Sequence, residues 1–161
     1  MPNHQSGKRI IVAILGLAIN KDKQFLLTRR EAPNRPPWHN KWQLPGGALE
    51  FGETPEQALA RELEEELQVS ARILHPQPIL KTYVWYGHET DEKRDSHLVL
   101  VAYLVDIKDQ HPNTDNDHET NAYQWLTFEK ALTLDSLPMT REIVDEAYKI
   151  CNQCGLWGMV E

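Results

Sequence analysis

Cysteine is scarce: Cys151 and Cys154 are the only two among 161 residues. That excludes a disulfide scaffold and suits a reducing compartment. Basic charge is also in deficit, with 17 Lys and Arg against 24 Asp and Glu and a formal net charge of −7. Such a surface does not draw in a phosphate backbone, so no nucleic-acid polymer is expected as partner. It still admits a substrate that arrives with a divalent cation. No apolar run reaches the length of a membrane span. The longest, Ile10–Ile19, is too short to cross a bilayer. It follows Lys8 and Arg9 as a signal-peptide core would, but Asn20-Lys21-Asp22 succeeds it without a small-residue cleavage pattern. Its branched residues fit a buried strand better. No membrane association and a cytoplasmic location are therefore expected. Repeats, low-complexity tracts and long linkers are missing too, so residues 1–161 are expected to form one domain.

What is present alternates between strand and helix signals without a regular rhythm. Strands are expected at Arg9–Ile19, Gln24–Arg29, Ala71–Ile79, Leu80–Trp85, Leu98–Val105 and Tyr123–Leu126. Polar turn signals lie at Asn20-Lys21-Asp22, from Gly87 to Asp95 and from His111 to Asn121. Glu31 to Asn40 holds three prolines and reads as an irregular loop. One helix begins after Thr54 as N-cap, with Pro55 at its first position and Gln57 three residues past the cap, and runs to about Gln68. A second spans roughly Thr140 to Asn152, and a short one lies near Phe128 to Leu132. Irregular alternation disfavours a doubly wound sheet. It predicts an α+β fold: a mixed, partly antiparallel sheet with helices on its faces.

The first helix carries the chemistry. With Glu62 at zero, Glu66 lies roughly 40° to one side and Glu65 roughly 60° to the other. Three carboxylates thus share one face. Leu59, Leu63 and Leu67, with Ala60 beside them, form a neighbouring apolar face that can pack on a sheet. Glu64 points to solvent, and Arg61 sits where it can brace the acids. Like charges one turn apart repel, and a cation relieves that repulsion. Oxygen-only ligands select hard ions such as Mg²⁺, with Mn²⁺ as substitute. Gly46-Gly47 permits close backbone approach and offers a carbonyl, and Glu53 ends a tight loop that returns toward the helix.

Gly47, five residues, Glu53, seven residues, then Arg61-Glu62-Leu63-Glu64-Glu65-Glu66-Leu67-Gln68-Val69 resembles the Nudix box, Gly-x5-Glu-x7-Arg-Glu-U-x-Glu-Glu-x-Gly-U. Gln68 departs from it, standing where the family has a glycine that caps the helix. The flanks Leu26-Leu27-Thr28-Arg29-Arg30, Trp42-Gln43-Leu44-Pro45 and Glu119 with Trp125 are similar to those of MutT-type members. The resemblance implies a Nudix-type α/β/α sandwich and Mg²⁺-dependent hydrolysis of a nucleoside diphosphate linked to another group. It implies metal ligation by Glu65 and Glu66 with the Gly46 carbonyl, and a metal or general-base role for Glu62. By the same resemblance Glu53 supports the metal cluster, Arg61 orients the glutamates, Glu119 is a further metal ligand or base, and Arg29, with Gly46 and Gly47, meets the substrate.

For the base, Trp38, Tyr83, Trp85 and Phe128 are available to stack. Cys151-x-x-Cys154 has no second pair or nearby histidine and is not expected to bind zinc. The expected reaction turns a nucleoside triphosphate, oxidised nucleotides included, into monophosphate and pyrophosphate. Hydrolysis of ADP-ribose, a dinucleoside polyphosphate or another conjugate is the alternative, for which the Glu31–Asn40 loop would be an adaptation. A non-catalytic nucleotide sensor is disfavoured by the intact Arg61, Glu62, Glu65 and Glu66 set. An isomerase on the same fold is a weaker option. The sequence leaves oligomeric state open, a homodimer included.

Overall fold

A computed structural model describes residues 7–90 and 92–161 of the chain. Elements follow in the order β1 (Lys8–Ala18), β2 (Gln24–Arg30), β3 (Trp42–Gln43), β4 (Gly46–Ala48), α1 (Pro55–Leu67), β5 (Arg72–Ile73), β6 (Ile79–Trp85), α2 (Gly87–Thr90), β7 (Asp95–Asp106), β8 (Thr120–Thr127), α3 (Phe128–Ala131) and α4 (Thr140–Cys154), closed by a 3-10 turn at Leu156–Gly158.

The apolar run at the start is β1, and its alternation sorts its side chains onto two faces. Ile14 and Ala18 pack with Leu59, Leu63 and Leu67 of α1. Leu17 packs with Ile143, Val144 and Ala147 of α4, and Ala13 and Leu15 lie against the same cluster. Strand β2 divides the same way, Leu26 toward α1 and Phe25 and Leu27 toward α4. From Ile14 onward the strand is covered on both sides and is apolar at nearly every position, whereas Ile10 at its start is exposed. Helices on opposite sides of these strands give the expected α/β/α sandwich.

The single mixed sheet expected from sequence is two sheets. In the five-stranded one, β7 pairs with β1, β5 and β6, and β4 closes the other side of β1. β1 and β7 run parallel from Lys8 opposite Asp95 to Ala18 opposite Val105, and the other pairings are antiparallel. The second sheet, β3-β2-β8, is antiparallel. Of the Ala71–Ile79 strand only Arg72–Ile73 pairs before Pro76 and Pro78 interrupt it, since proline cannot donate to a ladder. The short strands β3 and β4 and the helical turn α2 were missed. β4 holds two glycines and forms because β1 offers it a partner, not because its residues favour extension. The polar segment that contains α2 includes Asp91, which lies outside the described residues.

Local chemistry sets the limits of α1. Thr54 Oγ1 accepts from the Gln57 N–H at 3.2 Å, and Gln57 Oε1 accepts from the Thr54 N–H at 2.9 Å. This reciprocal cap contributes about 1 kcal/mol. At the other end Gln68 is left-handed, with φ 55° and ψ 41°, and its N–H donates to the Glu64 carbonyl. The residue thus takes the backbone conformation that glycine favours. Ala60, expected on the apolar face, is exposed, and Ala58 is buried in its place. A side chain in this region strains the backbone, so Gln68→Gly should raise stability by about 0.5–1 kcal/mol after allowance for the extra freedom of glycine in the unfolded chain. Urea unfolding with an unchanged m-value is the measurement. A less stable variant would show that the Gln68 side chain compensates its strain.

Candidate active site

The connection from β3 through β4 into α1 lays two glycines against the glutamate helix. β4 is antiparallel to β1, with Gly46 opposite Leu15 and Gly47 opposite Ile14. A Cβ added at Gly47 would stand 2.6 Å from Glu62 Oε1, so only glycine lets that carboxylate lie against the strand. The Gly46 N–H donates to Glu66 Oε2 at 3.1 Å.

Arg61 occupies the centre of the acidic face. Its Nε and Nη2 donate to the two oxygens of Glu53 at 2.6 and 3.0 Å. Its Nη1 donates to Glu62 at 2.7 Å and reaches Glu65 at 3.5 Å, and Nη2 donates to the Ala48 carbonyl at 3.2 Å. Glu53 also accepts the Glu50 N–H at 2.9 Å. The fork geometry and full charge make these strong contacts. They hold the Glu53 carboxyl below the usual carboxylate range, and they raise the guanidinium pKa further.

The three helix carboxylates do not share one environment. Glu66 is 7% exposed, the Glu62 side chain 13% and the Glu65 side chain 61%. Helix phase explains the order: Glu66 turns toward the Leu59–Leu63 stripe and Glu65 away from it. Burial pushes the Glu66 carboxyl well above its ordinary pKa against the Gly46 hydrogen bond, and the charges of Asp117, Glu62 and Glu119 add to the rise. Burial raises Glu62 as well, opposed by Arg61.

Glu119 lies exposed in the loop before β8, close enough for its charge to bear on Glu62 and Glu66. Asp117, which sequence reasoning passed over, bears more heavily on Glu66. Its Oδ1 accepts the Glu119 N–H at 3.1 Å, and its Oδ2 is buried without a partner among the described residues. Its signal was the acid-rich stretch Asp115-Asn116-Asp117-His118-Glu119, within which nothing local marks the inward residue.

Among the described residues no three acidic, His or Cys side chains already converge as a cation site. Arg61 pairs with both Glu53 and Glu62. The donor set nevertheless fits a hard divalent ion: it is oxygen only, and Glu66 is a buried carboxylate with one hydrogen bond and acids on several sides.

The two arginines of β2 part company. Arg29 Nε donates to Asn121 Oδ1 at 2.7 Å and its guanidinium lies 5.8 Å from the Trp42 ring centroid. Arg30, not singled out from sequence, lines a cavity of about 310 Å³, and its Nε is buried without a partner among the described residues. A β-bulge at Arg29/Arg30 separates them. Gly46 and Gly47 border the same cavity, so the acidic helix and the cavity meet across β4. Trp38, Tyr83 and Trp85 line it, whereas Phe128 stacks on Tyr148 at 4.1 Å elsewhere. Cys151 is buried, with its thiol pushed up to about 12 by desolvation, and Cys154 is exposed.

The profile of the NUDIX domain matches residues 9–147. The chain belongs to the Nudix family. It is 41% identical over 137 residues to an 8-oxo-dGTP diphosphatase of Escherichia coli (strain K12), covering 85% of this chain and 94% of that protein. It is 53% identical over 102 residues to an RNA pyrophosphohydrolase of Acinetobacter baylyi, covering 56% of this chain and 60% of that protein. Among solved structures, a MutT protein from Methanosarcina mazei Go1 shares the Nudix fold with a TM-score of 0.70 at 24% identity, over 91% of this chain and 97% of that one. The family and the relatives make the chain a Nudix hydrolase of phosphoanhydride bonds with a nucleotide substrate. Hydrolases of this family generally use divalent metals. Among the described residues no helix is long and apolar enough to cross a membrane.

The contact at Gly47 generates a test. Gly47→Ala drives a Cβ into the Glu62 carboxyl, which must move. Displacement of about 1 Å in such a group costs on the order of 10²-fold in rate. A fall of roughly 10- to 100-fold in kcat/KM with a circular-dichroism spectrum like wild type is expected. Full activity would mean that Glu62 works equally well from elsewhere.

Proposed function

We propose that residues 1–161 form one Nudix hydrolase domain that converts a (deoxy)nucleoside triphosphate, oxidised purine nucleotides included, to monophosphate and pyrophosphate with Mg²⁺. The observation that carries this reading is the position of the acidic helix: Arg61, Glu62 and Glu66 stand behind Gly46-Gly47, and the aromatic cavity opens on the other side of those glycines. The base and sugar occupy the cavity while the phosphate chain reaches the carboxylates. The relative matched over 94% of its own length acts, by its name, on 8-oxo-dGTP.

In this reading Glu65 and Glu66, with the Gly46 carbonyl, hold the metal, Glu62 and Glu119 complete its surroundings, and Glu53 supports the cluster. Mn²⁺ would substitute on the same oxygen donors. When bound, the metal supplies charge neutralisation at the phosphate oxygens. Arg61 keeps Glu53 and Glu62 from swinging away. Arg30 has a free donor for a substrate oxygen inside the cavity, a place the sequence had given to Arg29, which now stands as an outer contact. Water attacks phosphorus, the bond to the pyrophosphate oxygen breaks, and Glu62 or Glu119 takes the proton. A cytoplasmic location suits free thiols and a nucleotide substrate. The second reading, ADP-ribose, a dinucleoside polyphosphate or another nucleotide conjugate, draws on the relative named RNA pyrophosphohydrolase.

Exhaustive EDTA treatment should abolish hydrolysis, and added Mg²⁺ should restore it. Glu66→Gln should lower kcat by about 10² or more while the fold persists. Turnover that survives both would end the metal-dependent reading. A panel of nucleotides with Mg²⁺, scoring pyrophosphate against orthophosphate, separates the first reading from the second.

The acid loop has its own test. Glu119→Gln should reduce kcat by about 10²-fold or more if Glu119 is the base, with stability changed by less than about 0.5 kcal/mol. Asp117→Asn reports on the inward acid beside it, and Glu129→Gln, on α3, is the control. Wild-type rates in Glu119→Gln would remove Glu119 from the site and leave the proton to Glu62.

A further inference from the structure

The cavity has a floor and a roof that come from different parts of the chain. Its floor is one face of the five-stranded sheet. Arg9, Ser96 and Trp85 form one row across β1, β7 and β6, and Ile11, Leu98 and Tyr83 form the next. Part of the roof is the Pro-rich loop after β2, which carries Arg35 and Trp38. Trp38 meets Trp85 edge-on at 5.5 Å, and Trp85 meets Tyr83 at 5.2 Å, so the aromatic wall is shared between roof and floor.

One carboxylate ties the two together. Glu92 Oε2 accepts from Arg9 Nη2 at 2.8 Å, and Glu92 Oε1 lies 3.4 Å from Arg35 Nη1. Arg9 is itself fixed by its Nε donating to the buried Ser96 at 2.7 Å. Arg35 lies 5.5 Å over the Trp38 ring. The turn that presents Glu92 is specifically built. A Cβ at Gly87 would stand 2.5 Å from the Glu92 carbonyl oxygen, and the Gly87 N–H donates to Asp95 Oδ1 at 2.9 Å.

We propose that Glu92 is the latch of this cavity. By bridging Arg9 in the floor and Arg35 in the roof it holds the 31–40 loop, and with it Trp38, against a bound base. It is a positioning residue for the nucleoside end of the substrate and takes no part in phosphorus chemistry. The proposal rests on the reading that the cavity takes the nucleoside.

Uncharged nucleosides test it without metal, phosphate or turnover. Calorimetric titration with guanosine and adenosine should show binding to the wild-type protein. Glu92→Gln should weaken it about three- to fivefold, the scale of a partly exposed ion-pair network. Raising ionic strength from about 0.05 to 0.5 M should weaken wild-type binding similarly although the ligand carries no charge, because salt screens the latch. The same salt change should leave Glu92→Gln unaffected. Arg35→Gln tests the bridge from the other loop, and the double variant should bind no more weakly than Glu92→Gln. Lys149→Gln, which breaks the exposed pair with Asp145 on α4, should bind as wild type. Equal affinity in wild type and Glu92→Gln, salt-independent wild-type binding, or no nucleoside binding by wild type would each overturn the latch. Nucleoside binding with the expected pattern but no nucleotide hydrolysed in Mg²⁺ would leave the latch standing and remove the hydrolytic reading.

Discussion

The guanidinium of Arg61 is the countercharge on which the acidic face depends. It gathers Glu53 bidentately, holds Glu62 and touches Glu65, while also donating to the backbone of β4. Without it, Glu62 and Glu65 on the helix and Glu53 beside it would repel each other, and the loop that carries Glu53 would lose its anchor. With it, Glu62 and Glu66 remain in a half-dry space where burial raises both carboxyls. A dry carboxylate gains most from a cation, because the attraction there is least screened. The same arginine therefore balances the acidic face of the resting protein.

That arrangement relies on α1 not rotating. Leu59, Leu63 and Leu67 are nearly fully buried against Ile14, Ala18 and Leu26. A small rotation of the helix would withdraw Glu66 from the Gly46 N–H and expose apolar area, so packing and site geometry resist the same motion. Strand β1 is common to both sides of the molecule. Its even-numbered residues seat the helix, and its odd-numbered residues from Arg9 to Leu15 floor the cavity. Helix α1 and the cavity thus lie on opposite faces of β1, with β4 bordering the cavity and touching Glu62 and Glu66.

The acidic face lies on α1 and its supports, whereas part of the cavity wall comes from segments outside the strands and helices. The Pro-rich loop supplies Trp38 and Arg35, and the turn after β6 supplies Glu92. Loops of this kind set specificity because their backbones are not committed to the core. They meet over the cavity through the Arg35–Glu92 ion pair, and Trp38 meets Trp85 of β6 edge-on.

Local chemistry in the sequence determined where α1 begins, where the apolar run of β1 lies and which acids lie near each other along the helix. Thr54, Pro55 and Gln57 act within one turn, and the β1 run declares its burial by composition, so no distant partner is needed to read either. Only the tertiary structure decided which carboxylate is buried, because the 40° that separates Glu62 from Glu66 matters once a sheet lies on that side. It decided that Arg30 and not Arg29 turns into the cavity, since a strand alternates at every residue and a bulge at that point is set by pairing with β8. It made a strand of Gly46–Ala48 against their own propensity and separated Asp117 from its acidic neighbours. Each of these outcomes depends on contacts between residues far apart in the chain. A sequence states such pairs only once the fold has brought them together.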